Sequence, residues 1–142
     1  MSRIAAIDYG LKRIGIAVSD PNRQIAFPLV TVEGGKKGIE QIRLAIKDKQ
    51  VSQIIVGLPL LLNGKDGEMA TAVRQFAKEL ETALAIPVIL WDERLSSVQA
   101  DRNLRELDLN RKQRTSKIDT AAAALLLQSY LDWTLYNNRP RT

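Results

Sequence analysis

The sequence predicts a mixed α/β fold: a three-stranded antiparallel meander plus two parallel strands, with helices on both faces of the sheet. Three observations predict it. Up to residue 33 the chain offers three apolar or alternating segments joined by connections too short for a crossover. After Gly34-Gly35 the apolar rhythm changes to a 3.6-residue period, and helix-like and strand-like segments then alternate. A length of 142 residues, with 45% hydrophobic and 26% charged side chains, suits a single domain over 1–142 with its own core.

Residues 3–8 are an apolar run closed by Asp8, Tyr9-Gly10-Leu11-Lys12 is a turn, and residues 13–19 alternate like a second strand. Residues 25–33 read as a third strand, in which Pro28 requires a sheet edge or a bulge because proline has no N–H for the ladder. Ile39, Ile42, Ala45 and Ile46 recur at helical spacing, predicting a helix over 36–49. A strand follows at 53–57, then a loop over 58–67 punctuated by Pro59, Gly64 and Gly67. Ala70, Val73, Phe76, Ala77, Leu80 and Leu84 mark a second amphipathic helix. Residues 87–91 form a buried-type strand that runs into Asp92-Glu93-Arg94. Ser96 and Gln99 make a capping box for a helix over 97–107. A polar, basic loop at 108–116 precedes a last helix from Ile118 to about Tyr136.

The chain has no cysteine and no histidine. That excludes disulfides, thiolate zinc sites, cysteine nucleophiles, Ser-His-Asp triads and imidazole bases. Catalysis must then rest on carboxylates, Lys, Arg, hydroxyls, backbone dipoles and oxygen-ligated cations such as Mg²⁺ or Mn²⁺. The N-terminal MSRIAAIDYG lacks a secretory h-region, and no apolar run approaches a membrane span, so a cytoplasmic protein is expected.

The acids fall in a pattern. Asp8 closes the first strand, Asp92 and Glu93 close the fifth, and Asp119 stands in the first turn of the last helix. Ligands of open α/β sheets bind at strand ends. Ala121 to Ala124 are small enough to let that helix lie close to the sheet and bring Asp119 to the strand-end acids. Acids converging without His or Cys favour a hard-cation cage of two divalent ions, suited to in-line phosphodiester hydrolysis. Each acid also has a plainer reading: Asp8 as a turn former, Asp119 on its helix dipole, Asp92-Glu93-Arg94 as a local ion cluster. Formal net charge is +5, and the segment from Arg94 to Lys117 holds seven basic residues against three acids. A polyanion-binding face has that signature, as does a solvated surface.

Asp8-Tyr-Gly-Leu-Lys-Arg-Ile-Gly-Ile-Ala-Val-Ser-Asp20, Gly57-Leu-Pro59 with Asn63-Gly64, Asp92-Glu-Arg-Leu-Ser-Ser97 and Lys117-Ile-Asp-Thr-Ala-Ala122 together resemble the signature blocks of the YqgF/RuvX family, in order and across the chain. The resemblance implies the RNase H-like fold in its Holliday-junction-resolvase version. It implies a metal-dependent nuclease with Asp8, Glu93 and Asp119 as catalytic acids, associated with maturation of the 5′ end of pre-16S ribosomal RNA. Related resolvases carry a glutamate after the fourth strand. Here Val56-Gly57-Leu58-Pro59 has none, so the fifth-strand pair takes its place. Neighbouring strand residues face opposite ways, and of Asp92 and Glu93 the latter is favoured as the metal-facing acid.

Lys12, Arg13, Arg94, Arg111, Lys112, Arg114 and Lys117 are the expected nucleic-acid contacts. Gly10 permits a tight turn, and Gly57, Pro59, Asn63 and Gly64 shape a loop at the rim of the site. Trp91 and Tyr9 are candidates for stacking on unpaired bases, although a Trp ending an apolar strand is more often core. Expected partners are single-stranded or structured RNA, junction DNA and a pre-ribosomal particle, with the chain a monomer or weak homodimer. The rival functions are a Holliday junction resolvase using the same cage, and a non-catalytic nucleic-acid-binding module. An actin-like or sugar-kinase ATPase shares the opening Asp-x-Gly hairpin but needs two such domains, and 142 residues supply one.

Overall fold

A computed structural model describes residues 2–95 and 116–137, with side chains described up to 95 and from 121. Five strands form one sheet: β1 (Arg3–Asp8), β2 (Arg13–Ser19), β3 (Ala26–Glu33), β4 (Val51–Leu58) and β5 (Val88–Asp92), in the order β3-β2-β1-β4-β5. β1, β2 and β3 are antiparallel neighbours, while β4 runs parallel to β1 and β5 parallel to β4. This is the meander plus two parallel strands expected from the apolar pattern. The proline in β3 is accommodated in both ways anticipated, since β3 is an edge strand and its register with β2 shifts between Ile16 and Ala17, where Ala17 faces Pro28.

Among the described residues three helices cover the sheet: α1 (Gly38–Ile46), α2 (Glu68–Leu84) and α3 (Ser116–Asn137). Strand alternation sorts the core into two layers. Ala5, Ile7, Ile14, Ile16, Ile54 and Val56 pack against Ile42 and Ile46 of α1 and Val73, Phe76 and Leu80 of α2. On the other side Ile4, Ala6, Ala17, Ile55 and Trp91 pack against Ala122, Ala123, Leu126, Leu127, Tyr130 and Leu131 of α3. Ala122 and Ala123 are 3% and 0% exposed, so the small residues seat the helix on the sheet as their size predicted. No helix among the described residues is long and apolar enough to cross a membrane.

α1 is shorter than the helix expected over 36–49. Gly35–Lys37 instead form a 3₁₀ turn after Gly35 takes a positive φ of 78°, and the chain after Ile46 turns through Gln50 at φ 54° into β4. The strand expected at 53–57 extends to 51–58, and α3 is longer than expected by about a residue or two at each end. The capping box at Ser96 and Gln99, the helix over 97–107 and most of the basic loop lie outside the described residues.

Candidate functional site

The C-terminal ends of the parallel strands β1, β4 and β5 lie at one pole, and there the alternation decides which acids meet. Asp8 continues the Ile4–Ala6 face of β1, which is the α3 side. Across the ladder Ile7 pairs with Val56, so Gly57 is the next position beside Asp8, and it continues the Ile55 face toward α3. Asp92 pairs with Leu58 and follows Val88 and Leu90, which places it on the α1/α2 side, away from Asp8.

Glu93 falls on the other face, since Ile89 and Trp91 face α3 and the same alternation carries on to position 93. It begins a 3₁₀ turn, Glu93–Leu95, and its side chain folds back over Gly57. A Cβ added to Gly57 would stand 2.7 Å from Glu93 Oε1, 3.1 Å from Glu93 Cγ and 3.0 Å from Leu126 Cδ2. The missing side chain of Gly57 is therefore the seat of the Glu93 carboxylate, with α3 as its roof. Glu93 is 1% exposed and Asp8 is 7% exposed. Two buried carboxylates thus flank one glycine on one face of the sheet.

α3 brings the third expected acid to the same pole. Leu126 lies over Gly57, and Tyr130 Oη is 3.4 Å from Gln53 Nε2, so the helix runs opposite to β4. Position 119 falls two turns before Leu126, roughly 10 Å of helical rise toward the strand ends. The side chains of Asp119 and Lys117 lie outside the described residues.

Asp92 is engaged elsewhere. Its Oδ1 accepts from the Arg94 backbone N–H at 2.9 Å and from Arg94 Nε at 3.1 Å. Its Oδ2 accepts from Nε at 3.0 Å and Nη2 at 2.7 Å. The Arg94 guanidinium holds the Asp92 carboxyl below the usual carboxylate range against the opposing effect of burial, and the arginine is correspondingly raised. The same guanidinium lies beside the loop after β4, its Nη1 3.4 Å from where a Gly64 Cβ would stand. Gly64, at φ 83°, is held by its N–H donating to Leu61 O, while Asn63 Oδ1 accepts from the Lys65 N–H. Asp66 and Arg74, 2.7 Å apart, tie the end of that loop to α2.

The aromatic expectations resolve toward core. Trp91 is 9% exposed, donates from Nε1 to Ser129 Oγ at 2.9 Å and is packed by Tyr130 and Trp133 at ring separations of 5.1 and 5.4 Å. Tyr9 is half-buried against Phe76, with ring centroids 4.2 Å apart. Lys12 and Arg13 are exposed at the turn after Asp8, whereas Arg111, Lys112 and Arg114 lie outside the described residues. Composition did not single out Lys36 and Lys37, which the fold carries to this same pole. Their only signal was the glycine pair before them.

Comparison with known proteins places the arrangement. The model of the family described as "RuvX: Holliday junction resolvase" matches residues 2–133. A protein of Protochlamydia amoebophila provisionally named a pre-16S rRNA nuclease is 44% identical over 140 residues, covering 92% of this chain and 93% of its own. One of Syntrophomonas wolfei with the same provisional name is 46% identical over 132 residues, covering 92% and 94%. Among solved structures, RuvC of T. thermophilus in complex with a Holliday junction substrate superposes with a TM-score of 0.62 at 12% identity over 97% of this chain and 98% of its own. A Fowlpox virus resolvase bound to Holliday junction DNA gives 0.54 at 15% identity, covering 94% and 99%. At such identities these structural likenesses establish the RNase H-like fold and nothing finer.

Proposed function

The chain belongs to the RuvX family, and on that premise we propose that it is a divalent-metal-dependent nuclease acting in 5′-end maturation of pre-16S ribosomal RNA. The observation that carries the chemistry is the pair of buried carboxylates, Asp8 and Glu93, beside and above Gly57 on one face of the sheet. Like charges buried together repel, and a hard cation between them converts that cost into binding energy. With no His or Cys in the chain the donors are oxygen only, which fits Mg²⁺ or Mn²⁺. When bound, such ions activate a water and neutralise charge that develops on the scissile phosphate.

Asp8, Glu93 and Asp119 are the acids that would hold them. Gly57 leaves the room that Glu93 needs, and α3 closes that carboxylate off from bulk water through Leu126. Asp92 stands on the opposite face and grips Arg94, so its part in the site is to position the turn that carries Glu93. Arg94 serves the same end before it serves any phosphate. Arg111, Lys112, Arg114 and Lys117 supply positive charge for the polyanionic substrate, in a cytoplasmic protein that meets its RNA on the pre-ribosomal particle.

A second reading, resolution of four-way DNA junctions, is favoured by the description of the matching family. One experiment separates the two: cleavage by the pure protein of a precursor 16S 5′-end RNA and of a four-way DNA junction, in Mg²⁺ and in Mn²⁺. Metal-dependent cutting of the RNA, with 5′-extended precursor accumulating in depleted cells, supports the first. Symmetric junction cutting with normal rRNA ends supports the second. No cutting of either substrate, with nucleic-acid binding retained, would leave a binding module.

A further inference from the structure

We infer that the catalytic pole carries a second phosphate-binding surface, built from the β1–β2 turn and the turn after β3, which takes the nucleic-acid backbone on the far side of Asp8 from β5. The inference rests on the nuclease reading and adds to it the path of the bound strand. β3 ends at Glu33 directly opposite Arg13, at the start of β2, so the chain leaves β3 at the turn that follows Asp8. The two turns are then joined backbone to backbone. The Gly34 N–H donates to Lys12 O at 2.9 Å, and a Cβ on Gly34 would stand 2.6 Å from Leu11 O and 2.9 Å from Gly10 O. No other residue allows that approach without displacing main chain. A Cβ on Gly10 would meet Arg13 O at 2.5 Å, so the first turn is equally tight.

Lys12, Arg13, Lys36 and Lys37 are all exposed on these joined turns. Among the described residues Lys12, Lys36 and Lys37 have no ion-pair partner. Glu33 lies opposite Arg13 in the ladder, and Glu40 is taken by Arg43 at 3.1 Å. The placement does nothing for α1, because cations immediately before a helix oppose its dipole. Backbone geometry rigid enough to fix four cations beside a buried acid is what a phosphate track requires, since phosphate contacts set register and carry no sequence information.

The test measures binding of a fluorescein-labelled single-stranded RNA, taken from the precursor 5′ end, by anisotropy in Ca²⁺ across a series of KCl concentrations. Lys36→Ala with Lys37→Ala should reduce the slope of log K against log salt by about 1.4, at roughly 0.7 per single-strand phosphate contact. Thermal melting should be unchanged or rise slightly, since both cations oppose the α1 dipole. A charge-matched control, Lys47→Ala with Lys78→Ala, removes two exposed lysines from outside the joined turns and should keep the wild-type slope. An unchanged slope in the Lys36/Lys37 variant, or an equal fall in the control, overturns the inference while wild-type binding and cleavage leave the nuclease reading standing. Wild-type protein that neither binds nor cuts the RNA overturns both.

Discussion

Arg94 grips Asp92 through Nε and Nη2 at 2.7 to 3.1 Å, and Glu93, the residue between them, turns to the opposite side to lie on Gly57. The fork also passes beside the loop after β4, with Arg94 Nη1 3.4 Å from where a Gly64 Cβ would stand. The Asp92–Arg94 pair thus braces the 3₁₀ turn on either side of Glu93.

Arg94→Lys tests this role. Lysine keeps the charge but not the planar fork, so Asp92 retains an ion pair while the turn loses its bidentate brace. The pair is partly exposed, so the stability cost should be small. Cleavage should fall by ten-fold or more in kcat with little change in RNA affinity. A drop confined to RNA affinity would make Arg94 a phosphate contact.

Gly57→Ala should be more damaging than its size implies. The new methyl meets a buried carboxylate oxygen at 2.7 Å and Leu126 at 3.0 Å. Overpacking of this kind typically costs about 1–3 kcal/mol. Pushing Glu93 aside should also cost on the order of 10²-fold in cleavage, as misplacement by an ångström does elsewhere. Melting and single-turnover cleavage measured together check it. Near-wild-type cleavage would mean that the seat tolerates a different Glu93 rotamer.

Much of this was legible in the chain because strand alternation is strict. Apolar residues at 3–8, 13–19 and 53–57 declare two buried faces, and the helix over 68–84 shows its stripe. The choice of Glu93 over Asp92 agrees with the same alternation, which turns Ile89, Trp91 and then position 93 toward α3. What the chain did not show is that it tightens after Asp92 into a 3₁₀ turn and folds Glu93 back over Gly57. Nothing local in Asp-Glu-Arg marks that transition. Arg94 carried two readings in sequence, a phosphate contact and a member of a local ion cluster with Asp92 and Glu93, and the fork onto Asp92 is the contact of the second. Lys36 and Lys37 escaped notice for a different reason. Their value comes from a long-range backbone contact between Gly34 and the turn at Gly10–Lys12, which no short window contains.

The loop after β4 should respond to acid. Asp66 lies below its ordinary value of 3.8 chiefly because the Arg74 side chain hydrogen-bonds its carboxylate. A carboxyl depressed in the folded state contributes stability above its unfolded value and loses it as pH falls through the folded one. Wild type should therefore melt above Asp66→Asn at pH 7, and the gap should begin to shrink below about pH 4, where the unfolded aspartate takes its proton, and close as pH falls through the folded value. Both groups are well exposed, so the gap should be small and shrink with salt. A gap that persists at pH 2 would assign the difference to something other than this ion pair.

Asp8→Asn separates the metal role from the structural one. Asparagine preserves the volume of a side chain that is 7% exposed, so the core of β1 should stay intact. It removes one of the two buried carboxylates that the described residues place on the α3 face, and metal-free protein should melt at the wild-type temperature or slightly above it, as like-charge repulsion is relieved. Wild type should gain stability on adding Mg²⁺ or Mn²⁺, by about 2.7 kcal/mol at a concentration a hundred times the dissociation constant. Asp8→Asn should lose most of that gain together with cleavage. Glu93→Gln should behave in the same way, whereas Asp92→Asn should keep the metal-dependent rise in melting temperature even where its activity is reduced. If Asp8→Asn melted far below wild type without metal, the carboxylate would be holding the turn at Tyr9–Lys12, not a cation. If instead Asp92→Asn alone abolished the metal response, the alternation of β5 would have been misread and Asp92 would return to the ligand set.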